Sequence, residues 1–506
     1  MRVDPGREGG RSVVRIRRDV ASLGPGWNPT LLNYALAMRE LDELPIGDRG
    51  GWKFLGAMHG FDRDVWIDEG LIDGRTAVPQ EIVDGPYGNQ CQHGSWYFLS
   101  WHRGYLAAFE AIVAAKVEEL TGDDDWALPY WNYLDAGSPD ARRVPEALLA
   151  DSLPDGTPNP LSKYPRRPGL TELRPGPRDA FGLDAMEEDD FLVGNDGSIG
   201  FGGGISGDFL QFAGWTGDLE NNPHNTVHRL VGGPGGFMGD PRLAGLDPIF
   251  WLHHCNVDRL WEAWMRAPGK SMVRDPRWLN GPADRKFIVP APGGGDPGIT
   301  FSGRDVLQGG RFHPNYDDLT KGTGVTPGGA AVVRVGMGPS SQQRVETIGA
   351  SDATVSVGAA PARARVDLEP EATAAGVVAL GATTPGEEVV RLYLALESVR
   401  GTAPAPLLEV YVNLPDGADP EAHPDLHAGS ITLFGLNVAS AVDGRHGGNG
   451  LGFTLDITEL TGRLSASGGF DSENLRITLV PGEGITEEQP VTVERISILK
   501  RRGVVS

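Results

Sequence analysis

Two histidines nine residues apart in an aromatic-rich stretch constrain this chain more than anything else in it. The stretch runs Cys91-Gln92-His93-Gly94, through Trp96-Tyr97-Phe98-Leu99 and Trp101-His102-Arg103, to Tyr105-Leu106 and Phe109-Glu110. Nine residues of α-helix make about two and a half turns, so one helix would put His93 and His102 on opposite faces. For both to face one object, His93 must precede the helix and His102 lie inside it. Trp101, Tyr105, Ala108 and Phe109 follow the i, i+4, i+7, i+8 stripe of a helix packed on one side. Gly88 and Gly94 mark the loop before it. The spacing predicts a helix from about 97 to 121, closed near Gly122.

A second block answers the first. In Glu220-Asn221-Asn222-Pro223-His224-Asn225-Thr226-Val227-His228, two histidines stand at i and i+4, on one helical face. Pro223 suits the first turn of that helix and Asn222 the cap before it. A third block, Asp247-Pro248-Ile249-Phe250-Trp251-Leu252-His253-His254-Cys255, opens another helix. Neighbours on a helix diverge by about 100°, so only one of His253 and His254 can share the target. His59, in Ala57-Met58-His59-Gly60, would complete a set of six. Seven of the 11 histidines lie before residue 260, and none falls between His102 and His224.

Imidazoles in two clusters on helix pairs suit a metal site in a helix-bundle core. Six imidazoles without an obligatory carboxylate disfavour di-iron and di-manganese and favour copper, with zinc second. Two three-histidine sites also leave positions open for a small ligand between the metals.

The remaining sequence sets bounds. A chain of 506 residues is too long for one core. The formal charge of −23 argues against nucleic-acid and anionic-membrane partners. No apolar run reaches the length of a membrane span. Met1 to Asp19 has arginines but no apolar segment of a secretory signal, so a cytoplasmic location is expected. Two cysteines, Cys91 and Cys255, are no disulfide framework.

Residues 12–19 alternate like a short strand, and 28–43 read as an amphipathic helix. Residues 136–222 are rich in Pro, Gly and Asp and read as a long irregular excursion. The glycine runs at 202–204 and 232–236 lack the Lys-Ser/Thr of a phosphate loop and read as turns. Residues 338–365 read as an exposed linker, where nicking concentrates. Beyond it come short β-type runs, among them 389–396, 407–414, 431–436, 452–457, 475–479 and 491–499, separated by Gly, Pro and Asp turns.

The histidine blocks resemble those of the type 3, coupled binuclear copper proteins of the tyrosinase and polyphenol oxidase family. Trp101-His102-Arg103-x-Tyr105-Leu106-x-x-Phe109-Glu110 is similar to the family's first copper motif. Pro223-His224-Asn225-x-x-His228 and Asp247-Pro248-Ile249-Phe250-Trp251-Leu252-His253-His254 are similar to the second. The resemblance covers about residues 10–320. It implies one copper on His59, His93 and His102 and another on His224, His228 and His254, with O2 as co-substrate. It also implies that His253 packs behind the site. Cys91 and His93 would share one side of an extended segment, and the resemblance implies a thioether between them. Cys255 reads as core.

Glu220 and Asn225 resemble the pair that holds a water in family members able to hydroxylate monophenols, a step that needs a base. Pro241 stands in a run similar to the plant enzymes' loop above the first copper, where a bulky Phe is common. Arg229 is a candidate for gripping acidic substituents on substrates. His313 lies near Tyr316, and the resemblance implies closure of that Tyr on an N-terminal Arg, Arg17 or Arg18. The C-terminal runs Leu408-Glu409-Val410-Tyr411-Val412 and Leu475-Arg476-Ile477-Thr478-Leu479-Val480-Pro481 resemble the capping domain of latent plant enzymes. His423, His427 and His446 lie there, as surface residues or, for one, as part of the cap.

The expected architecture is a mainly α-helical, four-helix-bundle metal domain over 1–335, a linker over 336–365, and an antiparallel β-sandwich or barrel over 366–506 that caps it. The expected activity is ortho-hydroxylation of monophenols and oxidation of o-diphenols to o-quinones, latent until the cap is displaced or cut. A catechol or o-aminophenol oxidase without monophenolase activity, a haemocyanin-like O2 carrier, and a binding module on a dead oxidase domain are the rivals. The oligomeric state stays open.

Overall fold

The computed structural model describes residues 15–327, 345–369, 388–442, 448–467 and 475–504, apart from single positions 195, 296 and 309. Five helices carry the argument. Helix α1, Pro29–Asp42, starts at Asn28, whose side chain accepts from the Leu31 amide at 3.0 Å, and has Pro29 in its first turn. It buries Leu31, Tyr34, Ala35, Met38 and Leu41. Helix α2, Trp52–His59, is short, mostly buried, and ends on a histidine. Helix α3, Phe98–Thr121, stops at Gly122, whose φ of 77° is the left-handed conformation that glycine adopts at least cost. Helix α4, Thr226–Gly232, follows an irregular turn. Helix α5, Pro248–Arg266, is capped by Asp247, with Pro248 in its first turn. It is buried along nearly its whole length, as expected of a helix at the centre of a domain.

An ion network ties α3 to α5. Arg103 meets Asp258 at 2.6 Å and Glu262 at 3.0 Å. Arg17 meets Glu110 at 3.0 Å and Asp258 at 3.3 Å, and also donates to the Tyr316 hydroxyl at 3.0 Å. Arg17 is therefore the arginine that faces Tyr316. Buried ion pairs contribute little net stability but penalise any other register, so this network fixes how the two helices sit. The strand expected over 12–19 reduces, in the described part, to isolated bridges of Arg17 with Tyr316 and Asp19 with Tyr130.

Nine strands form one antiparallel sheet. They are β1 (Val345–Ala350), β2 (Val355–Val357), β3 (Ala362–Leu368), β4 (Glu388–Gly401), β5 (Leu407–Val412), β6 (His427–Thr432), β7 (Leu451–Asp456), β8 (Leu475–Pro481) and β9 (Val491–Val504). Their order is β6-β5-β8-β3-β1-β9-β4-β7, with β2 beside β9. The sheet curls until Leu455 of β7 packs over Gly429 of β6, which makes it nearly a barrel. The stretch expected as a linker is corrected here. From Val345 on, 336–365 is strand rather than connector, because β1 and β2 pair with β9 and β3 with β8. Its small and polar residues lie on a half-exposed sheet surface, which hid the alternation.

The excursion 136–222 lies between helices and sheet. The two domains exchange an aromatic ring across this seam. Phe212 is buried in the sheet's core, and Phe434, just after β6, in the helical core. Ion pairs flank the exchange: Arg178 with Glu409 at 3.0 Å, and Arg501 with Glu188 and Asp190 at 3.0 Å each. Among the described residues no helix is long and apolar enough to cross a membrane.

Candidate metal centre

Helices α2, α3, α4 and α5 converge, and each brings a histidine. On the α4–α5 side the Nε2 atoms of His224 and His228 each lie 3.3 Å from Nε2 of His254. His228 Nδ1 is 2.7 Å from the Met238 carbonyl, and His224 Nδ1 is 2.9 Å from Asn225 Oδ1. An oxygen of that kind only accepts, so each Nδ1 carries the proton and each Nε2 turns a lone pair inward. Lone pairs facing at that range repel unless a cation lies between them. Nitrogens bound tetrahedrally at about 2.0–2.1 Å lie about 3.3–3.4 Å apart, so the triangle has the edge a metal requires.

The opposing group is wider. Ring centroids of His59, His93 and His102 stand 5.5, 5.8 and 5.5 Å apart. His59 Nδ1 donates to the Pro241 carbonyl and His102 Nδ1 to the Phe98 carbonyl, both at 2.8 Å. Their Nε2 atoms and both nitrogens of His93 are buried without a partner. The first of these tethers depends on Gly60, where a Cβ would collide with the Pro241 carbonyl. The groups face each other, His102 stacking on His254 at 4.4 Å and 9°.

Burial is the first cause that lowers the basicity of all six rings. It takes His59 to about 4 and the others well below the usual value, with neighbouring imidazoles adding to the effect on His93. Neutral imidazole is the form that binds metals. Six buried neutral rings, three of them (His59, His93 and His102) with inward nitrogens that make no hydrogen bond, fit a binuclear metal site.

Distance alone groups Cys91, rather than His102, with His59 and His93. Chemistry argues for the histidine. Burial pushes the Cys91 thiol well up, so it stays protonated, and its sulfur accepts from Gln211 Nε2 at 2.9 Å. Cys91 is a free buried thiol whose sulfur lies within 4.8 Å of a ring nitrogen of His93. His93 sits in the loop before α3, pinned by backbone bonds to Gln211 and Ala213 and stacked on Phe212 at 4.8 Å. His253 stands beside the triangle, its Nδ1 3.0 Å from the Tyr133 hydroxyl.

Other expected site residues fall in different places. Glu220 is buried, accepts from the Gly94 amide at 2.9 Å, and has its pKa raised well up by burial. Asn225 orients His224. Asn222 is extended (φ −144°, ψ 120°), as a cap should be, yet its side chain accepts from Gly182 and caps nothing. Pro241 contributes its carbonyl to His59. Arg229, the candidate for gripping acidic substituents, lies at the seam between the domains rather than among the six histidines. It pairs with Asp179 at 2.7 Å and Glu483 at 3.1 Å and donates to Thr432, because α4 turns it into the seam. His427 packs on Tyr411, and burial lowers it to about 4. His446 lies outside the described residues.

The mouth is closed by a residue that sequence reasoning missed. Phe434 stacks on His228 at 4.1 Å and 28°, and lies 5.5 Å from His93 and 5.8 Å from His224. Nothing local in the sequence marks it, since only the docking of the sheet domain puts it there.

Residues 49–187 and 203–267 match the common central domain of tyrosinase. Over 487 residues the chain is 32% identical to tyrosinase HcTyr1 of Hahella sp. (strain CCB-MM4), covering 93% of this chain and 96% of that protein. The chain belongs to the tyrosinase family. Residues 344–501 match a domain of unknown function. The chloroplastic polyphenol oxidase of Vitis vinifera is 34% identical over 208 residues, 37% of this chain and 32% of that protein. Two solved structures share the whole two-domain arrangement. Latent aurone synthase (polyphenol oxidase) superposes with a TM-score of 0.61 at 20% identity, over 99% of this chain and 92% of that one. Latent apple tyrosinase does so with a TM-score of 0.57 at 20% identity, over 97% and 98%. This tyrosinase-family fold is therefore a helical histidine core under an antiparallel sheet domain.

Proposed function

We propose that the chain is a copper-dependent oxidase of phenols. It would hydroxylate monophenols at the ortho position and oxidise o-diphenols to o-quinones, and remain latent while the sheet domain is seated. The observation that carries this reading is the approach of His224 and His228 to within 3.3 Å of His254, facing the inward nitrogens of His59, His93 and His102. One copper on each triad, when bound, supplies the two-electron reduction of O2. The family supports copper rather than zinc, as does an all-imidazole donor set.

The chain's own residues do the rest. The carbonyls of Pro241, Phe98 and Met238 and the Asn225 amide fix four ring orientations. Such partners set the tautomer and the aim of a ligand. Phe434 occupies the place of an aromatic substrate over His228, so the closed chain is silent. Glu220, a buried carboxyl whose pKa burial raises, is the group given the task of taking the phenolic proton, directly or through a water held with Asn225.

The test is copper content and O2 consumption after limited proteolysis, with 4-methylphenol and 4-methylcatechol. Two coppers per chain and turnover of both support the reading. Turnover of the catechol alone makes it a catechol oxidase, and copper with no quinone from either makes it an O2 carrier. Glu220→Gln should lose monophenol hydroxylation and keep catechol oxidation. Unchanged hydroxylation removes the role given to Glu220.

A further inference from the structure

The sheet domain reaches the helical domain beside α4 with two side chains, one aromatic and one acidic. Phe434 lays its ring over His228. Glu483, in the turn after β8, sets its carboxylate between two guanidinium groups of the helical domain. Arg167 meets it with both terminal nitrogens, Nη1 to Oε1 and Nη2 to Oε2, each at 2.8 Å. Arg229 Nη1 reaches Oε2 at 3.1 Å.

Glu483 is not what aims Arg167. Its Nε donates to the Leu230 carbonyl and its Nη2 to the Arg229 carbonyl, both at 3.0 Å, while its backbone amide donates to Val231 at 2.8 Å. All three acceptors lie in α4, the helix that carries His228. The fork therefore keeps its direction when Glu483 withdraws. A planar guanidinium fixed by backbone is the geometry that takes a carboxylate with two parallel bonds. Arg229 already has Asp179 from its own domain at 2.7 Å. Arg167 takes its carboxylate from the sheet domain.

Arg229 Nε donates to Thr432 Oγ1 at 3.3 Å, and Thr432 precedes Phe434 by two residues, so the segment that brings Phe434 to His228 also touches Arg229. A cleft of about 450 Å³, lined in part by Arg167, Arg178, Arg229 and Leu407, opens beside the pair.

We propose that Arg167, with Arg229 beside it, is a carboxylate-recognition site for acidic phenols. In the seated chain Glu483 of the sheet domain occupies that site, while Phe434 covers His228. The substrate class rests on the phenol-oxidase reading, but the binding site can be tested alone. The probe is 3-phenylpropionate, which has ring and acid but no hydroxyl to oxidise, with 3-phenylpropanamide as its neutral twin. Both are titrated calorimetrically into the full-length chain, its Glu483→Gln variant, and Glu483→Gln combined with Arg167→Gln or Arg167→Lys, each checked for an unchanged circular-dichroism melt.

Freeing one charge-assisted carboxylate site should tighten the acid by about tenfold in Glu483→Gln. Arg167→Gln should abolish that gain and Arg167→Lys most of it, while the amide binds all variants alike. No gain in Glu483→Gln, or a gain that survives Arg167→Gln, overturns the proposal. Acid-over-amide preference in a chain that oxidises no phenol would refute the proposed activity and leave this site standing. Oxidation of neutral catechols without that preference would do the reverse.

Discussion

The two histidine triads differ in how they are made. His224, His228 and His254 come from one short span of chain and two docked helices, and their inward nitrogens already close to 3.3 Å. His59, His93 and His102 come from the end of α2, a loop and α3. His59 is tethered by Pro241 and His93 by Gln211 and Ala213, all from distant segments. The α4–α5 triad is preset by helix packing, whereas the other depends on loops that reach across the domain. Equal ligand sets can therefore differ in how far they are formed before a metal arrives.

The comparison is broken or sharpened most strongly by removing one ligand from each side. His254→Ala should abolish copper-dependent O2 consumption and empty the α4–α5 site. His93→Ala should also end O2 consumption yet keep one copper per chain by metal analysis. Equal copper loss in both would erase the asymmetry.

Acid should act next. All six rings titrate below the ordinary 6.5 in the folded chain. Between those values and 6.5 the unfolded chain binds more protons, so the metal-free protein loses stability as pH falls below 6.5. The slope is at most about 1.4 kcal/mol per histidine per pH unit. Melting curves from pH 7 to 5 should fall steeply without copper and much less with it, since copper binds the folded form.

Phe434→Ala, which uncovers rings of both triads, should raise kcat/KM of the uncut chain for 4-methylcatechol by about tenfold, by enlarging the competent fraction. No rise would mean that Phe434 does not limit access to the histidines. The smallest effect is Cys91→Ala. It should weaken copper in the α2–α3 site alone, by about tenfold in a competitive chelator titration, the usual scale for a support residue. Loss from the other site instead would contradict the comparison.

Much of this was legible in the chain. The limits of α1, α3 and α5 follow from Asn28, Gly122 and Asp247-Pro248, which are local signals. The histidine spacing was legible for the same reason. What sequence reasoning missed is long-range. Phe434, Glu483 and Arg167 have meaning only once the sheet domain docks. Arg229 was read from its place after His228, but the direction of α4 sends it into the seam. The strands between Val345 and Leu368 were taken for linker because their alternation, as in Ala362 to Leu368, sets mostly small apolar residues against charged ones and offers few large apolar side chains, and their order comes from pairing with β8 and β9.

The strand nearest the end of the described chain, β9, lies inside the sheet and pairs with β1, β2 and β4. The cover therefore cannot assemble until Val491–Val504 has been synthesised. The helical core is complete some 170 residues earlier, an interval of about 10–30 s at ordinary elongation rates. During that interval the histidine cavity stands open to the surrounding solution, which gives the nascent protein a time for acquiring metal before its own tail shuts the door.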